Sequence, residues 1–129
     1  MSIFNSLFGN SNKQDQTNSN INWISLADLG QLNEIIQVSH EKPIIIFKHS
    51  TRCSVSRMAL KQFENEFDLD GKVDAYFLDL LEHRDISNEI AHRFDVFHQS
   101  PQLLLIKDGK SIYNASHSAI DALELKTLV

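Results

Sequence analysis

The sequence predicts a single α/β domain in which helices flank a central mixed sheet of four to five strands. Three observations support this fold class. Short apolar runs rich in β-branched residues recur along the chain, stretches with one apolar helical face separate them, and an Asp-Gly turn lies between two later strand-like runs. The alternation indicates a parallel part of the sheet, and the turn indicates an antiparallel hairpin.

The first half of the domain is predicted to run strand, helix, strand, helix. The run from Pro43 to Phe47 is apolar and β-branched, as is typical of a central strand buried on both faces. An earlier short strand is expected at Ile21–Trp23, and the helix after it is expected to end near His40. Apolar residues at helical spacing define the two helices: Leu29, Leu32 and Ile36, then Leu60, Phe63 and Phe67.

The second half is predicted to run strand, helix, strand, strand, helix. The strands are expected at Val73–Asp79, Gln102–Lys107 and Ser111–Asn114, and Asp108-Gly109-Lys110 forms the turn of the hairpin. Apolar stripes mark the helices at Ile86, Ile90, Ala91 and Phe94, then at Ile120, Leu123 and Leu128. The resulting order, β-α-β-α-β-α-β-β-α, matches a thioredoxin-like sandwich.

Composition and charge limit the classes of partner that the protein is expected to bind. The chain has 129 residues and a net charge of −5, with no block of Lys and Arg that could bind phosphates or anionic lipid, so we expect neither nucleic acid nor a membrane as partner. Residues 1–20 are rich in Asn, Ser and Gln and are predicted to be a flexible polar segment, with the domain at residues 21–129. No export signal is recognised, so a cytoplasmic location is expected.

The single cysteine, Cys53, follows a buried strand and begins a helix. Unpaired N–H groups and the positive end of the helix dipole at this place favour the thiolate over the thiol, and Arg52 and Arg57 add positive charge. Ser56 lies on the same helical face, from which it could donate a hydrogen bond to the sulfur. One cysteine excludes an internal disulfide, so an attacked disulfide would stop at a mixed disulfide that an outside thiol must release.

Two further features bear on this site. In a thioredoxin-like fold the loop that faces the cysteine carries a cis-proline, so we expect a cis bond between Ser100 and Pro101, with Ser100 presenting free backbone groups to substrate. His49 and His117 could approach the sulfur and act on its proton. Metal binding is not expected, because the other histidines come from different elements with no ligand spacing.

Several motifs together carry a family resemblance: Phe47–Cys53 (FKHSTRC), Ser56, Ser87–Ala91 (SNEIA), Arg93, Phe94, Val96, His98–Gln102 (HQSPQ) and Tyr113–His117 (YNASH). Over about residues 21–125 the chain resembles the monothiol bacilliredoxins of the YtxJ type, thioredoxin-like proteins of the bacillithiol system. The resemblance implies that Cys53 is a nucleophile that removes bacillithiol from modified protein cysteines and carries it as a mixed disulfide. The family often has proline directly after the cysteine, where this chain has Ser54.

The expected activity is thus a monothiol thiol–disulfide oxidoreductase with a small thiol, such as bacillithiol, as co-substrate and no resident cofactor. The assigned residues are Cys53 and Ser56 as catalytic, and Thr51, Arg52, Ser100 and Pro101 as substrate-binding. Two alternatives stay open at this point. The chain could be a non-catalytic binding module with an incidental cysteine, or an iron–sulfur carrier like the monothiol glutaredoxins, although it lacks their Cys-Gly-Phe-Ser motif.

Overall fold

The computed structural model of the protein describes residues 21–129. The expectation of a flexible segment at residues 1–20 lies outside the described residues. In chain order the elements are β1 (Trp23–Ser25), α1 (Gly30–Val38), β2 (Ile44–His49), α2 (Ser54–Glu66), β3 (Asp74–Asp79), α3 (Arg84–Arg93), β4 (Gln102–Lys107), β5 (Lys110–Ser116), a 3-10 turn (His117–Ala119) and α4 (Ala122–Leu125).

The five strands form one mixed sheet in the order β1-β3-β2-β4-β5. The strands β1, β3 and β2 are parallel, whereas β4 runs antiparallel to both β2 and β5. This arrangement confirms the predicted α/β class and the mixed sheet flanked by helices. The central position of β2 explains why its sequence is apolar without alternation, since both of its faces are covered.

Alternate side chains of β2 enter two separate cores. Ile45 and Phe47 pack with α2 and α4 on one side of the sheet. Ile44 and Ile46 pack with α1 and α3 on the other side. Because β2 is held on both faces and along both edges, its carboxyl end is a rigid place from which to start the turn that carries Cys53.

The ends of the domain differ from the sequence expectation. The first strand begins at Trp23 rather than Ile21, and the terminal helix α4 has only four residues. Leu123, expected on the apolar stripe, is half exposed, while Ala122 and Leu125 are buried. The one-turn helix and the extended chain before it together place apolar residues at a spacing that resembles a longer helix. The sequence therefore predicted a longer terminal helix than the structure has.

The β4–β5 hairpin closes through the predicted Asp-Gly turn. Asp108 and Gly109 both have positive φ, 52° and 78°, and the Gly109 N–H donates to Ser39 Oγ at 2.8 Å. We expect Gly109→Ala to lower the free energy of unfolding by about 1 kcal/mol in urea titrations, because alanine resists this backbone conformation. Gly109→Asn should lower it less, since asparagine tolerates positive φ. Equal losses in the two variants would rule out backbone conformation as the cause.

Candidate functional site

The site forms where the end of β2 meets the loop before β4. Lys48 pairs with Gln102 in the antiparallel register, so the next residues, His49 and Pro101, lie side by side. The Ser100–Pro101 peptide bond is cis, as expected from the sequence. The Pro101 carbonyl accepts the N–H of His117 at 3.1 Å, which ties the proline to the turn after β5.

Cys53 occupies the N-cap of α2, one tight turn beyond β2. Its N–H donates to the Ser50 carbonyl at 3.2 Å, and its own carbonyl accepts the Arg57 N–H at 3.1 Å. The side chain makes no capping hydrogen bond, and the thiol is free and half-buried. The backbone is therefore fixed on both sides of the half-buried residue, which lies at the positive end of a helix.

Ser56 is fully buried, and its hydroxyl forms hydrogen bonds with residues other than Cys53. Its Oγ accepts the Ser50 N–H at 3.1 Å and lies 2.8 Å from Nδ1 of His49. Among the hydrogen bonds of residues 21–129, none joins Ser56 to Cys53. The observed role of Ser56 is thus to fasten the turn before the cysteine, and its predicted role toward the sulfur stays a prediction.

His49 is almost fully buried and packs on the ring of Phe77, with ring centroids 5.3 Å apart. Burial lowers the pKa of His49 below its ordinary value of 6.5, and Arg57 lowers it further while Asp79 opposes the shift. The ring is therefore neutral near pH 7. A neutral imidazole leaves one ring nitrogen to accept a hydrogen bond, so the Ser56 hydroxyl can either donate to Nδ1 or accept from it.

The two assigned residues of the turn, Thr51 and Arg52, are both exposed. The Thr51 carbonyl accepts a hydrogen bond from Nη1 of Arg57 at 3.1 Å, which holds that guanidinium against the turn. The approach to Cys53 is consequently bordered by two arginines in a chain whose overall charge is −5. This local charge favours an anionic ligand.

The loop before Pro101 contains a hydroxyl that is unpaired among the described residues, that of Ser100, and is held in place by the side chain of Gln102. The Ser100 hydroxyl is buried with no hydrogen-bond partner within residues 21–129. Gln102, itself fully buried, donates from Nε2 to the Phe97 carbonyl at 2.9 Å and accepts the Gln99 N–H at 3.4 Å. The side chain that follows the proline therefore closes the loop on itself.

Sequence reasoning missed a second polar contact beside this loop, which joins a buried lysine to an exposed histidine. The side chain of Lys48 is fully buried, with its Nζ 2.8 Å from Nδ1 of His98, and Ser87 Oγ lies 3.3 Å from the same nitrogen. Burial lowers the pKa of Lys48 to about 8. A lysine at the end of an otherwise apolar strand, just before the Cys53 turn, was the only signal for it in the sequence.

A shallow apolar groove opens next to the first turns of α2. It has a volume of about 200 Å³ and is lined on one side by Val55, Met58 and Ala59, and on the other by His117 and Ile120. His117 is exposed at its rim and has a positive φ of 56°. The structure thus places His117 across this groove from the helix that Cys53 caps.

The described part of the chain contains neither a metal-binding cluster nor a membrane-spanning helix. Within residues 21–129, no group of three or more His, Cys, Asp or Glu side chains is placed to hold a metal ion. No helix in that same range combines the length and the apolar character needed to cross a membrane.

Comparison with known proteins agrees with this architecture. The family model described as monothiol bacilliredoxin BrxC matches residues 24–125. A solved structure described as a candidate oxidoreductase with a thioredoxin fold is 32% identical, covering 81% of this chain and 90% of that chain with a TM-score of 0.69.

Thioredoxins share the fold at lower identity. The Malassezia sympodialis thioredoxin is 19% identical over 85% of this chain and 90% of that chain, with a TM-score of 0.65. The Fasciola hepatica thioredoxin is also 19% identical, over 81% and 93% of the two chains, with a TM-score of 0.61. The thioredoxin-like fold expected from the sequence is confirmed.

Proposed function

The chain belongs to the monothiol bacilliredoxin family and is a thiol redox protein of thioredoxin fold, and from this we propose that it removes bacillithiol, or a similar small thiol, from protein mixed disulfides. One observation carries the proposal. The only cysteine of the chain, Cys53, lies half-buried at the start of α2, and the strand that leads to it runs beside the cis-Pro101 loop. A lone sulfur in this setting can exchange disulfides but cannot resolve them internally.

The proposed reaction has two exchange steps. In the first, the Cys53 thiolate attacks the bacillithiol sulfur of the client mixed disulfide, so that the new Cys53–bacillithiol disulfide forms and the client cysteine leaves as a thiolate that takes a proton from solvent. In the second, the thiolate of another bacillithiol attacks the bacillithiol sulfur on Cys53. This step restores the Cys53 thiolate and yields bacillithiol disulfide, so the second bacillithiol supplies the reducing equivalents.

The residues around the sulfur support roles in binding. We assign the exposed Arg52 to an anionic group of the small thiol, since a guanidinium pairs well with carboxylates. The Thr51 carbonyl is already bonded to Arg57, so Thr51 contributes its exposed side chain. The Ser100 backbone, next to the cis bond, is assigned to an extended client segment, which would pair with it as an added strand.

The proposed setting is the cytoplasm. The cycle needs Cys53 to return to a free thiolate after each exchange, and a reducing compartment keeps unpaired thiols in that form. The client proteins would be cytoplasmic proteins whose cysteines have been modified by the same small thiol.

Removing the Ser56 hydroxyl tests its part in the site. In Ser56→Ala the buried Ser50 N–H and the His49 ring both lose their partner, so we expect the free energy of unfolding to fall by about 1–3 kcal/mol. If the hydroxyl also supports the thiolate, alkylation of Cys53 by iodoacetamide at pH 7 should slow by roughly tenfold. Ser54→Ala, an exposed site on the same helix turn, is the matched control and should change neither quantity.

The proposal is tested by the adducts that Cys53 forms. The protein is reduced, exposed separately to bacillithiol disulfide and to glutathione disulfide, and measured as intact mass over time. We expect one bacillithiol adduct, formed faster than the glutathione adduct, and reversed by added bacillithiol. A protein that stays unmodified by both disulfides would overturn the proposal and favour a non-catalytic binding module.

A further inference from the structure

A part-buried polar cluster lies on the face of the sheet opposite α2, with Lys48 and Ser87 buried and His98 exposed at its outer side. Because side chains alternate along a strand, Lys48 extends to the same side as Ile46, where α3 packs. There its ammonium meets His98 from the loop before β4 and, through His98, Ser87 from α3. We call Lys48, Ser87 and His98 the Lys48 cluster.

Stability alone does not explain the cluster. Lys48 is fully buried, yet it forms no ion pair with any carboxylate within residues 21–129. Its partner is a neutral ring nitrogen, because burial and the nearby charges of Lys48 and Arg84 lower the pKa of His98. A buried ammonium without a counter-charge opposes folding, and an apolar side chain of similar size would avoid that penalty.

The position of the contact suggests a different role. Lys48 precedes Cys53 by five residues on the strand that leads to it, and His98 precedes Pro101 by three residues in the facing loop. The contact of 2.8 Å therefore joins the two chain segments that make up the redox site. The loop is also held by Gln102 at its base and by the His117–Pro101 hydrogen bond at its end.

We propose that the contact between Lys48 and His98 sets the position of the Pro101 loop relative to Cys53, which makes both of them positioning residues for disulfide exchange. The inference deepens the proposed function and rests on it. Exchange requires the attacking sulfur, the central sulfur and the leaving sulfur to lie nearly in line, so a loop that guides the client must be placed accurately. A displacement of about 1 Å in such a step costs on the order of a hundredfold in rate.

The chemistry of the contact is directional. The ammonium donates to Nδ1 of His98, which can accept only if the ring is neutral with its proton on Nε2. Asparagine places its Oδ1 near the position of Nδ1 and so can replace the acceptor, whereas leucine cannot. This pair of substitutions separates the hydrogen bond from the bulk of the side chain.

The test compares Lys48→Met, His98→Leu and His98→Asn with the exposed control Lys61→Met. Three quantities are measured for each: the rate of bacillithiol removal from a modified client protein, the rate of Cys53 alkylation by iodoacetamide, and amide hydrogen exchange in a peptide covering residues 95–101. We expect client turnover to fall by roughly tenfold to a hundredfold in Lys48→Met and His98→Leu. Alkylation should stay within about twofold, because a small reagent does not use the loop, and loop amides should exchange faster.

The conservative variant His98→Asn should recover most of the turnover and the slow amide exchange, and Lys61→Met should match the native protein. Unchanged amide hydrogen exchange of the loop in Lys48→Met would overturn the inference. So would a parallel loss of alkylation and turnover in that variant, or a turnover in His98→Asn as low as that in His98→Leu. The exchange measurement needs no substrate. If the native protein fails to act on the client, that outcome contradicts the proposed function alone. Amide hydrogen exchange of the loop still decides whether Lys48 positions it.

Discussion

Replacing Cys53 by serine is expected to reduce disulfide exchange to the uncatalysed background while leaving the fold intact. The nucleophile of exchange is a thiolate, and a serine hydroxyl stays protonated at neutral pH. The fold should tolerate the change, because the thiol is half-buried and makes no capping hydrogen bond. A serine at an N-cap is itself favourable, so the free energy of unfolding should stay level or rise by up to about 1 kcal/mol.

The release of bacillithiol from a modified client protein is monitored by intact mass, and urea unfolding is measured on the same samples. Ser54→Ala is the matched control, since Ser54 is the exposed neighbour of Cys53 and no role is assigned to it. Turnover in Cys53→Ser above the rate without protein would show that the cysteine is not the nucleophile. A collapse of the fold in this variant would instead show that Cys53 is structural.

Replacing Lys48 by methionine is expected to stabilise the protein at neutral pH. Burial lowers the pKa of Lys48 from 10.5 to about 8, so the unfolded chain binds the proton more tightly than the folded protein. Stability therefore rises as the pH increases from about 8 to 10.5, by about 3 kcal/mol, and the whole penalty is present below pH 8. Methionine has a similar volume and no charge to bury.

Loss of the hydrogen bond to His98 offsets part of this gain, by about 1 kcal/mol. The free energy of unfolding of Lys48→Met should thus exceed that of the native protein by about 1–3 kcal/mol at pH 7, and the difference should shrink toward pH 10.5. Urea titrations at both pH values measure it, with Lys61→Met as the exposed control. A constant difference across this pH range would contradict the assignment of the penalty to a buried ammonium.

Together with the loop experiment, this prediction separates stability from activity. Lys48 would then lower the stability of the protein and raise its rate of disulfide exchange. Such a trade-off between stability and activity is typical of functional sites. Lys48→Met should therefore be more stable and less active than the native protein, a combination that general damage to the fold does not produce.

Much of the fold followed from local sequence patterns. The apolar run of β2, the Asp108-Gly109 turn and the stripes of α2 and α3 are each set by neighbours within a few residues, where periodicity and turn chemistry are informative. The cis-Pro101 bond followed only after the fold was inferred. The short α4 was overstated because one helical turn and the adjoining extended chain share the same apolar spacing.

The candidate site was only partly predictable. The spacing of Ser56 from Cys53 gives the face of the helix, but not that His49 and the Ser50 N–H already hold the Ser56 oxygen. The contact between Lys48 and His98 joins residues fifty positions apart. The Ser56 contacts depend on how the turn folds α2 back against the end of β2. The contact between Lys48 and His98 depends on the register of β2 against β4.

The most direct test of the proposed function is the transfer of bacillithiol from a client protein to Cys53. A client carrying one bacillithiol is mixed with the reduced protein, without added small thiol, and both intact masses are followed. We expect the client to lose one bacillithiol while this protein gains one, with no gain in Cys53→Ser. A client that keeps its bacillithiol, or a stable disulfide between Cys53 and the client itself, would contradict the proposed direction of attack.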